Sequence, residues 1–281
     1  MAFYAANFAY DGKMSSDYGL IITSEGSGEG ENAGASVTLH VQEIYRRPKP
    51  YLLGVQQSPV LEIPVKINVS GELSAMEDSA ISSWLFGSMG YKKLQILQPD
   101  MQYVYFNCIF KDKSTIRVGN IIRGYTATIV CDGPFAWESA QRTFYKDYNS
   151  ANSGIGLVTD EIVIVNSSDN ADYTFPSLSF STNNGQTPYL QIINTTDSAS
   201  RAFFLSPIES GGPYSIDNDL QIISSGDYNM FPAFVHYNED GTINNDTSYN
   251  WLRLVKGKNI LNISGYIRDL TISFRCARKI S

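Results

Sequence analysis

Two histidines, His40 and His236, are all the imidazole in this chain of 281 residues. A Ser-His-Asp or Cys-His relay would have to run through one of them. His40 sits in Val37-Thr38-Leu39-His40-Val41, a strand pattern with no partner motif beside it, and reads as structural. No G-x-S-x-G elbow, H-E-x-x-H pair, Walker loop or C-x-x-C pair occurs. Cys108, Cys131 and Cys276 lie in apolar or β-branched runs, where cysteine behaves as a small buried hydrophobe. Gly26-Ser27-Gly28-Glu29-Gly30 has the glycines of a phosphate cradle, but no lysine and no helix pattern follows it. Glu25, Glu29 and Glu31 would repel a phosphate there, so the segment reads as a solvated loop. Asp217-Asn218-Asp219 and Asn238-Glu239-Asp240-Gly241 offer oxygen ligands without the spacing of a calcium loop, and read as turns. No carboxylate pair for glycoside hydrolysis is singled out. The expectation is therefore no catalytic residue, no metal and no cofactor.

What remains is a surface. Tyr45-Arg46-Arg47-Pro48-Lys49-Pro50-Tyr51 is the one basic cluster. Three cations in a chain with 21 Lys and Arg against 28 Asp and Glu make a poor nucleic-acid footprint. Arginine and tyrosine together are favoured at protein interfaces, so Tyr45, Arg46, Arg47 and Tyr51 are read as contacts to a neighbouring subunit or partner. Composition agrees. Only 17% of residues are charged, while 12% are aromatic, which fits large permanent contacts. The N-terminus has no basic segment followed by an apolar core, and no run approaches the length of a membrane span. A soluble chain made in the cytoplasm, with no membrane insertion, is expected.

The elements that must carry this surface are mostly strands. Leu61 to Val69 alternates apolar and polar residues, with Pro64 on the outward side as at an edge or bulge. Similar runs cover 93–97, 103–110 and 124–131. Ser74-Ala75-Met76-Glu77 is a capping box that opens a helix of about three turns. Met76, Ala80, Ile81, Trp84 and Leu85 share its stripe and Gly87 stops it. Cys131-Asp132-Gly133-Pro134 punctuates the chain, and 147–154 reads as a linker or long loop. Short strands follow at 161–165, 173–180, 189–194, 201–205, 220–223, 251–255, 259–263 and 270–276, with a hairpin turn at 255–260. This rhythm predicts an antiparallel sandwich. Leu190-Gln191-Ile192-Ile193 and Leu220-Gln221-Ile222-Ile223 are read as two similar strands.

In order and spacing these segments resemble the distal tail (Dit) proteins of long-tailed bacteriophages with non-contractile tails. The likeness begins at Phe8-Ala9-Tyr10-Asp11-Gly12-Lys13-Met14-Ser15-Ser16-Asp17-Tyr18-Gly19-Leu20-Ile21-Ile22. It continues through the helix ending Trp84-Leu85-Phe86-Gly87 and through Cys131-Asp132-Gly133-Pro134-Phe135-Ala136. It closes on Trp251-Leu252-Arg253-Leu254 and Lys256-Gly257-Lys258-Asn259-Ile260-Leu261. The resemblance implies a mainly β chain. Residues 1–138 would form a belt, a β-sandwich with one α-helix and a hairpin arm, and residues 139–281 a galectin-like antiparallel β-sandwich.

The function implied is structural and not enzymatic. A homohexameric ring at the tail tip would join the tail-tube protein to the baseplate hub and offer a docking platform for receptor-binding or side-fibre proteins. DNA would pass through the channel without specific binding, past a lining loop bearing Glu25, Glu29 and Glu31. The protein would be made in the host cytoplasm and reside in the virion. The alternatives are a lectin-like carbohydrate module, with His236, Asn238, Trp251 and Arg253 available, or another tail protein such as a receptor-binding or tube subunit.

Overall fold

The computed structural model describes residues 5–24, 37–46, 48–148, 156–170, 172–182, 189–199, 201–206, 208, 212–234 and 250–279. Two compact units result, Met1–Ser139 with Ala277–Ser281, and Ala140–Cys276. Each has its own apolar core.

The first unit holds β1 (Phe8–Tyr10), β2 (Lys13–Met14), β3 (Leu20–Ser24), β4 (Val37–Gln42), β5 (Tyr51–Gln57), β6 (Glu62–Val69), α1 (Ala75–Phe86), β7 (Lys92–Ile96), β8 (Val104–Val118), β9 (Ile121–Cys131) and β10 (Ala136–Glu138). Its main sheet is antiparallel, in the order β2-β1-β7-β8-β9-β6-β3. A bridge between Ala6 and Ile22 ties the far strand β3 back to the residues leading into β1. The sheet thus curls onto itself, and this bridge covers part of the free edge of β3. Alternate residues point inward: Val104, Phe106, Cys108 and Phe110 of β8 face Ala127, Ile129 and Cys131 of β9 in one core.

The helix forms where the capping box lies. The Glu77 N–H donates to Ser74 Oγ (3.2 Å), and the Ser74 N–H donates to Glu77 Oε2 (2.8 Å). Ile81, Trp84 and Leu85, at i, i+3 and i+4, are buried against the sheet. Together they contribute about 6 kcal/mol of apolar burial. Met76 and Ala80, which fit that stripe by spacing, are exposed instead, so the buried face is confined to Ile81, Trp84 and Leu85. The Trp84 indole N–H donates to Tyr10 O (2.9 Å), and its ring stacks on Phe8 and Tyr18. Asp78 accepts from Tyr125 Oη (2.7 Å) and pairs with Lys113 (3.3 Å), so the helix is pinned to both β8 and β9. The Tyr125 hydrogen bond holds the Asp78 carboxyl below its ordinary value, with Lys113 adding to it.

Gly124 lets β9 pass close to β6: a Cβ there would stand 2.3 Å from Ile67 O. Pro64 was expected at an edge or bulge, yet β6 lies between β9 and β3. It pairs with Thr128 on one side and lies one residue past the last described partner of β3, Ser24 with Val65. A missing N–H is tolerated at such a position.

The second unit is a sandwich of two antiparallel sheets. It contains β11 (Arg142–Asp147), β12 (Val158–Asn166), β13 (Ser177–Thr182), β14 (Leu190–Asn194), β15 (Ala202–Leu205), β16 (Pro213–Asp217), β17 (Ile222–Ser225), β18 (Tyr228–Asn229), β19 (Gly257–Gly265) and β20 (Ile267–Phe274). One sheet runs β11-β20-β13-β16-β17-β18 and the other β12-β19-β14-β15. A last strand, β21 (Ala277–Arg278), pairs with β10 in the first unit.

Several strand expectations shift here. Residues 251–255 make only the Thr174–Leu254 bridge, not a strand, so 255–260 is no two-strand hairpin turn. The buried Asn259 side chain acts in its place, donating to Val255 O and Gly257 O and accepting from the Val255 N–H. Asn194 donates to Asn259 Oδ1 (2.8 Å) and to Arg253 O (2.8 Å). The second Leu-Gln-Ile-Ile segment also differs from the first, since Gln221 has φ +58 and β17 starts only at Ile222. Most of the 147–154 stretch lies outside the described residues.

Candidate functional site

β4 and β5 form a separate two-stranded hairpin that pairs only with itself. Leu39 faces Val55, His40 faces Gly54, and Val41 faces Leu52, with the register shifting after His40 so that Leu53 is the extra residue. A bulge of this kind turns its two residues to one side. Val37, Leu39, Val41, Leu52, Leu53 and Val55 therefore share one face, and each is about half exposed or more, from 49% at Val41 to 66% at Leu53. The opposite face carries Thr38, His40, Gln42 and Gln56, with His40 Nε2 3.1 Å from Gln56 Oε1. The hairpin is amphipathic, and among the described residues its apolar side is left uncovered.

The described residues of the basic cluster lie at the tip of this hairpin, between β4 and the start of β5. Tyr45 is 87% exposed, and the Arg46 guanidinium lies 5.2 Å from its ring centre. Arg46 takes a left-handed backbone (φ +68), which reverses the chain before β5. Tyr51 is exposed and pairs with Gln42 at the root of the turn. Tyr45, Arg46 and Tyr51 are thus brought to one end of the arm. Arg47 lies outside the described residues, as do Glu25, Glu29 and Glu31. The sequence signal for the arm was present as alternation in Val37 to Val41. Alternation alone does not say that the apolar face lacks a cover.

Chemistry has little foothold elsewhere. Among the described residues no group of three or more His, Cys, Asp or Glu could hold a metal ion. None of their helices is long and apolar enough to cross a membrane. A cleft of about 560 Å³ between α1 and the β1–β2 hairpin is lined by Asp11, Lys13, Tyr18, Trp84, Met89 and Lys92. Its single carboxylate, Asp11, is paired with Lys92 at 3.3 Å. A smaller one of about 320 Å³ on β12, β14 and β19 contains Asp160 and Glu161. Asp160 is taken by Lys146 (2.6 Å) and Tyr148 (2.9 Å). Burial pushes its carboxyl up, and these two bonds more than reverse that. The first cleft lacks a second carboxylate and in the second Asp160 is already engaged, so neither offers the free carboxyl pair that glycoside cleavage needs. Of the four sugar-site residues considered, Trp251 packs 4.6 Å from Phe234 between ring centres, and Arg253 forks onto Asp197 (2.9 and 3.0 Å) and covers Tyr173. His236 and Asn238 lie outside the described residues. The Asp217-Asn218-Asp219 segment is a turn: Asn218 donates to Pro176 O and accepts from the Leu252 N–H, and Asp217 Oδ1 accepts from the Asp219 and Leu220 N–H groups.

Residues 3–133 match the family described as phage tail protein N-terminal domain, and residues 135–276 the one described as phage tail C-terminal domain. No curated protein sequence matches the chain. Among solved structures, the chain is similar to the Dit (gp 19.1) protein of phage SPP1, described as a paradigm of the hub adsorption apparatus in phages infecting Gram-positive hosts. The TM-score is 0.66 at 12% identity, covering 98% of this chain and 99% of that one. It is also similar to a chain of the phage P2 baseplate in its activated conformation with Ca (TM-score 0.56, 11% identity, 97% and 98% covered). The Sr form of that baseplate gives 0.54 at 12% identity, with the same coverage. With its curled sheet, arm and sandwich, the chain has the Dit fold and belongs to the phage tail protein family.

Proposed function

We propose that this tail protein is a non-catalytic subunit of the tail tip, working as a closed ring of six copies. The ring joins the last tail-tube ring to the baseplate hub protein. Residues 1–138 act as the belt and 139–281 as a galectin-like platform on which receptor-binding or side-fibre proteins dock. The observation that carries this reading is the uncovered apolar face of the arm, Val37 to Val41 with Leu52 to Val55. Six half-exposed aliphatic side chains on one hairpin are a liability in a monomer and an asset in a subunit that a neighbour covers. The exposed Tyr45 and Arg46 at the tip add interface-type residues to the same arm. Cyclic assembly needs such a heterologous contact, repeated until the ring closes.

The net charge of -7 suits a channel that lets DNA pass without holding it, and Glu25, Glu29 and Glu31 are the residues proposed to line it. The protein is made in the host cytoplasm and resides in the virion. A sugar-binding second unit is disfavoured, because Trp251 and Arg253 already serve packing and the Asp197 pair. Sedimentation of the recombinant chain, with negative-stain images, tests the proposal. Six-fold rings of six-subunit mass are expected. A monomer at every concentration, with no ring even beside its tube partner, would sink it.

A further inference from the structure

We propose that Cys108 and Cys131 are an oxidative cross-link site, closing to a disulfide that staples β8 to β9 at the root of their hairpin. The ladder places the two residues directly opposite one another. The position is one of the non-hydrogen-bonded pairs of that ladder, as two hydrogen bonds show. The neighbouring pair, Asn107 and Asp132, is joined by Asp132 N–H to Asn107 O (2.9 Å), and narrow and wide pairs alternate. The Cys131 N–H turns the other way, to Leu61 O (2.9 Å). Opposite residues at such a position have Cα atoms about 4.5 Å apart, within the range a disulfide spans. Both side chains point into the same core, both are fully buried, and both are free thiols here. Cys276 belongs to the other core, beside Ser167 Oγ at 3.6 Å.

The chemistry balances with oxidised glutathione as the acceptor. One cysteine thiolate attacks it and releases one reduced glutathione. The second thiolate then displaces the other glutathione and forms the protein S–S bond. Two protons and two electrons leave the protein thiols, and one disulfide breaks as one forms. Attack requires thiolate. Burial pushes the Cys131 thiol up to about 12 and raises Cys108 as well, so the closed ladder resists oxidation. The bond therefore forms while the β8–β9 pairing is open, during folding or in rare openings. It closes a loop of about 25 residues, for which chain entropy predicts a rise of about 10 °C in the melting of this unit. A virion part that leaves a reducing interior for an oxidising medium is where such a staple would act.

The test is refolding of the full chain from urea in a glutathione buffer poised oxidising, then alkylation and peptide mass mapping. The expected product carries a Cys108–Cys131 linked peptide, one alkylatable thiol, and a first melting transition about 10 °C higher that dithiothreitol reverses. Cys276→Ser should keep the link and Cys131→Val should lose it. The same linked peptide should accumulate slowly in native protein held with the oxidant at alkaline pH. Three alkylated cysteines in both the refolded and the long-incubated native protein would overturn the proposal. A link to Cys276, or a lower melting temperature in the linked form, would overturn it equally.

Discussion

Placing a charge on the arm should break assembly and leave the fold intact. Leu39→Asp is the sharpest choice, because Leu39 sits mid-face opposite Val55 and is 59% exposed. Fully burying a leucine is worth about 2–3 kcal/mol, so covering the exposed part of Leu39 is worth about 1.5 kcal/mol. The substitution forfeits that and adds the penalty of an unpaired carboxylate inside an apolar contact, about 2 kcal/mol or more. Together these weaken each subunit contact by more than a hundredfold. The arm pairs only with itself and lies outside both cores, so the monomer should change by no more than about 0.5 kcal/mol. Sedimentation at micromolar concentration should show the variant as a monomer, while circular dichroism and Tm match the parent. Rings persisting undiminished would refute the assignment of this face to assembly. A large fall in Tm would show that the chain itself covers the face.

Other consequences follow from the cores. Gly124→Ala forces a Cβ to 2.3 Å from Ile67 O and should destabilise the first unit by about 2 kcal/mol or more, read by urea unfolding. Asn259→Ala leaves the Val255 N–H and the Val255 and Gly257 carbonyls without their partner, and should lower the stability of the second unit by about 3 kcal/mol in the same assay. Acid should loosen helix α1. Asp78 is held below its ordinary value of 3.8 in the folded chain, so its contribution is full above that value and lost as pH falls through the depressed folded value. Asp78→Asn should remove this part of the acid sensitivity, and a Tm profile that runs parallel to the parent's from pH 6 to acid would contradict it. Arg253→Ala leaves Asp197 with Arg201 alone (3.5 Å) and uncovers Tyr173, and should lower Tm with no gain of sugar binding in titrations.

Local physics carried much of the architecture. The capping box at Ser74 and Glu77 opens α1 within one residue of its place because both partners lie within a single turn. The alternation in 61–69 and 124–131 yields β6 and β9 for the same reason: a period of two needs no distant information. The sequence also carries no relay or zinc motif of recognised spacing, with two histidines and three cysteines far apart in the chain. Whatever depended on a neighbour was not legible in it. Met76 fits the apolar stripe and still faces solvent, and 251–255 alternates yet makes a single bridge, its Leu252, Arg253 and Val255 backbone groups bonding to the side chains of Asn218, Asn194 and Asn259. The β8–β9 ladder sets Cys108 opposite Cys131, 23 positions away in the chain, a relation that depends on register. The arm is the clearest case. Val37-Thr38-Leu39-His40-Val41 determines a strand with one apolar side, but only the tertiary structure decides that none of the described residues covers it. Burial is a property of pairs of surfaces, and the sequence of one strand specifies only one of them.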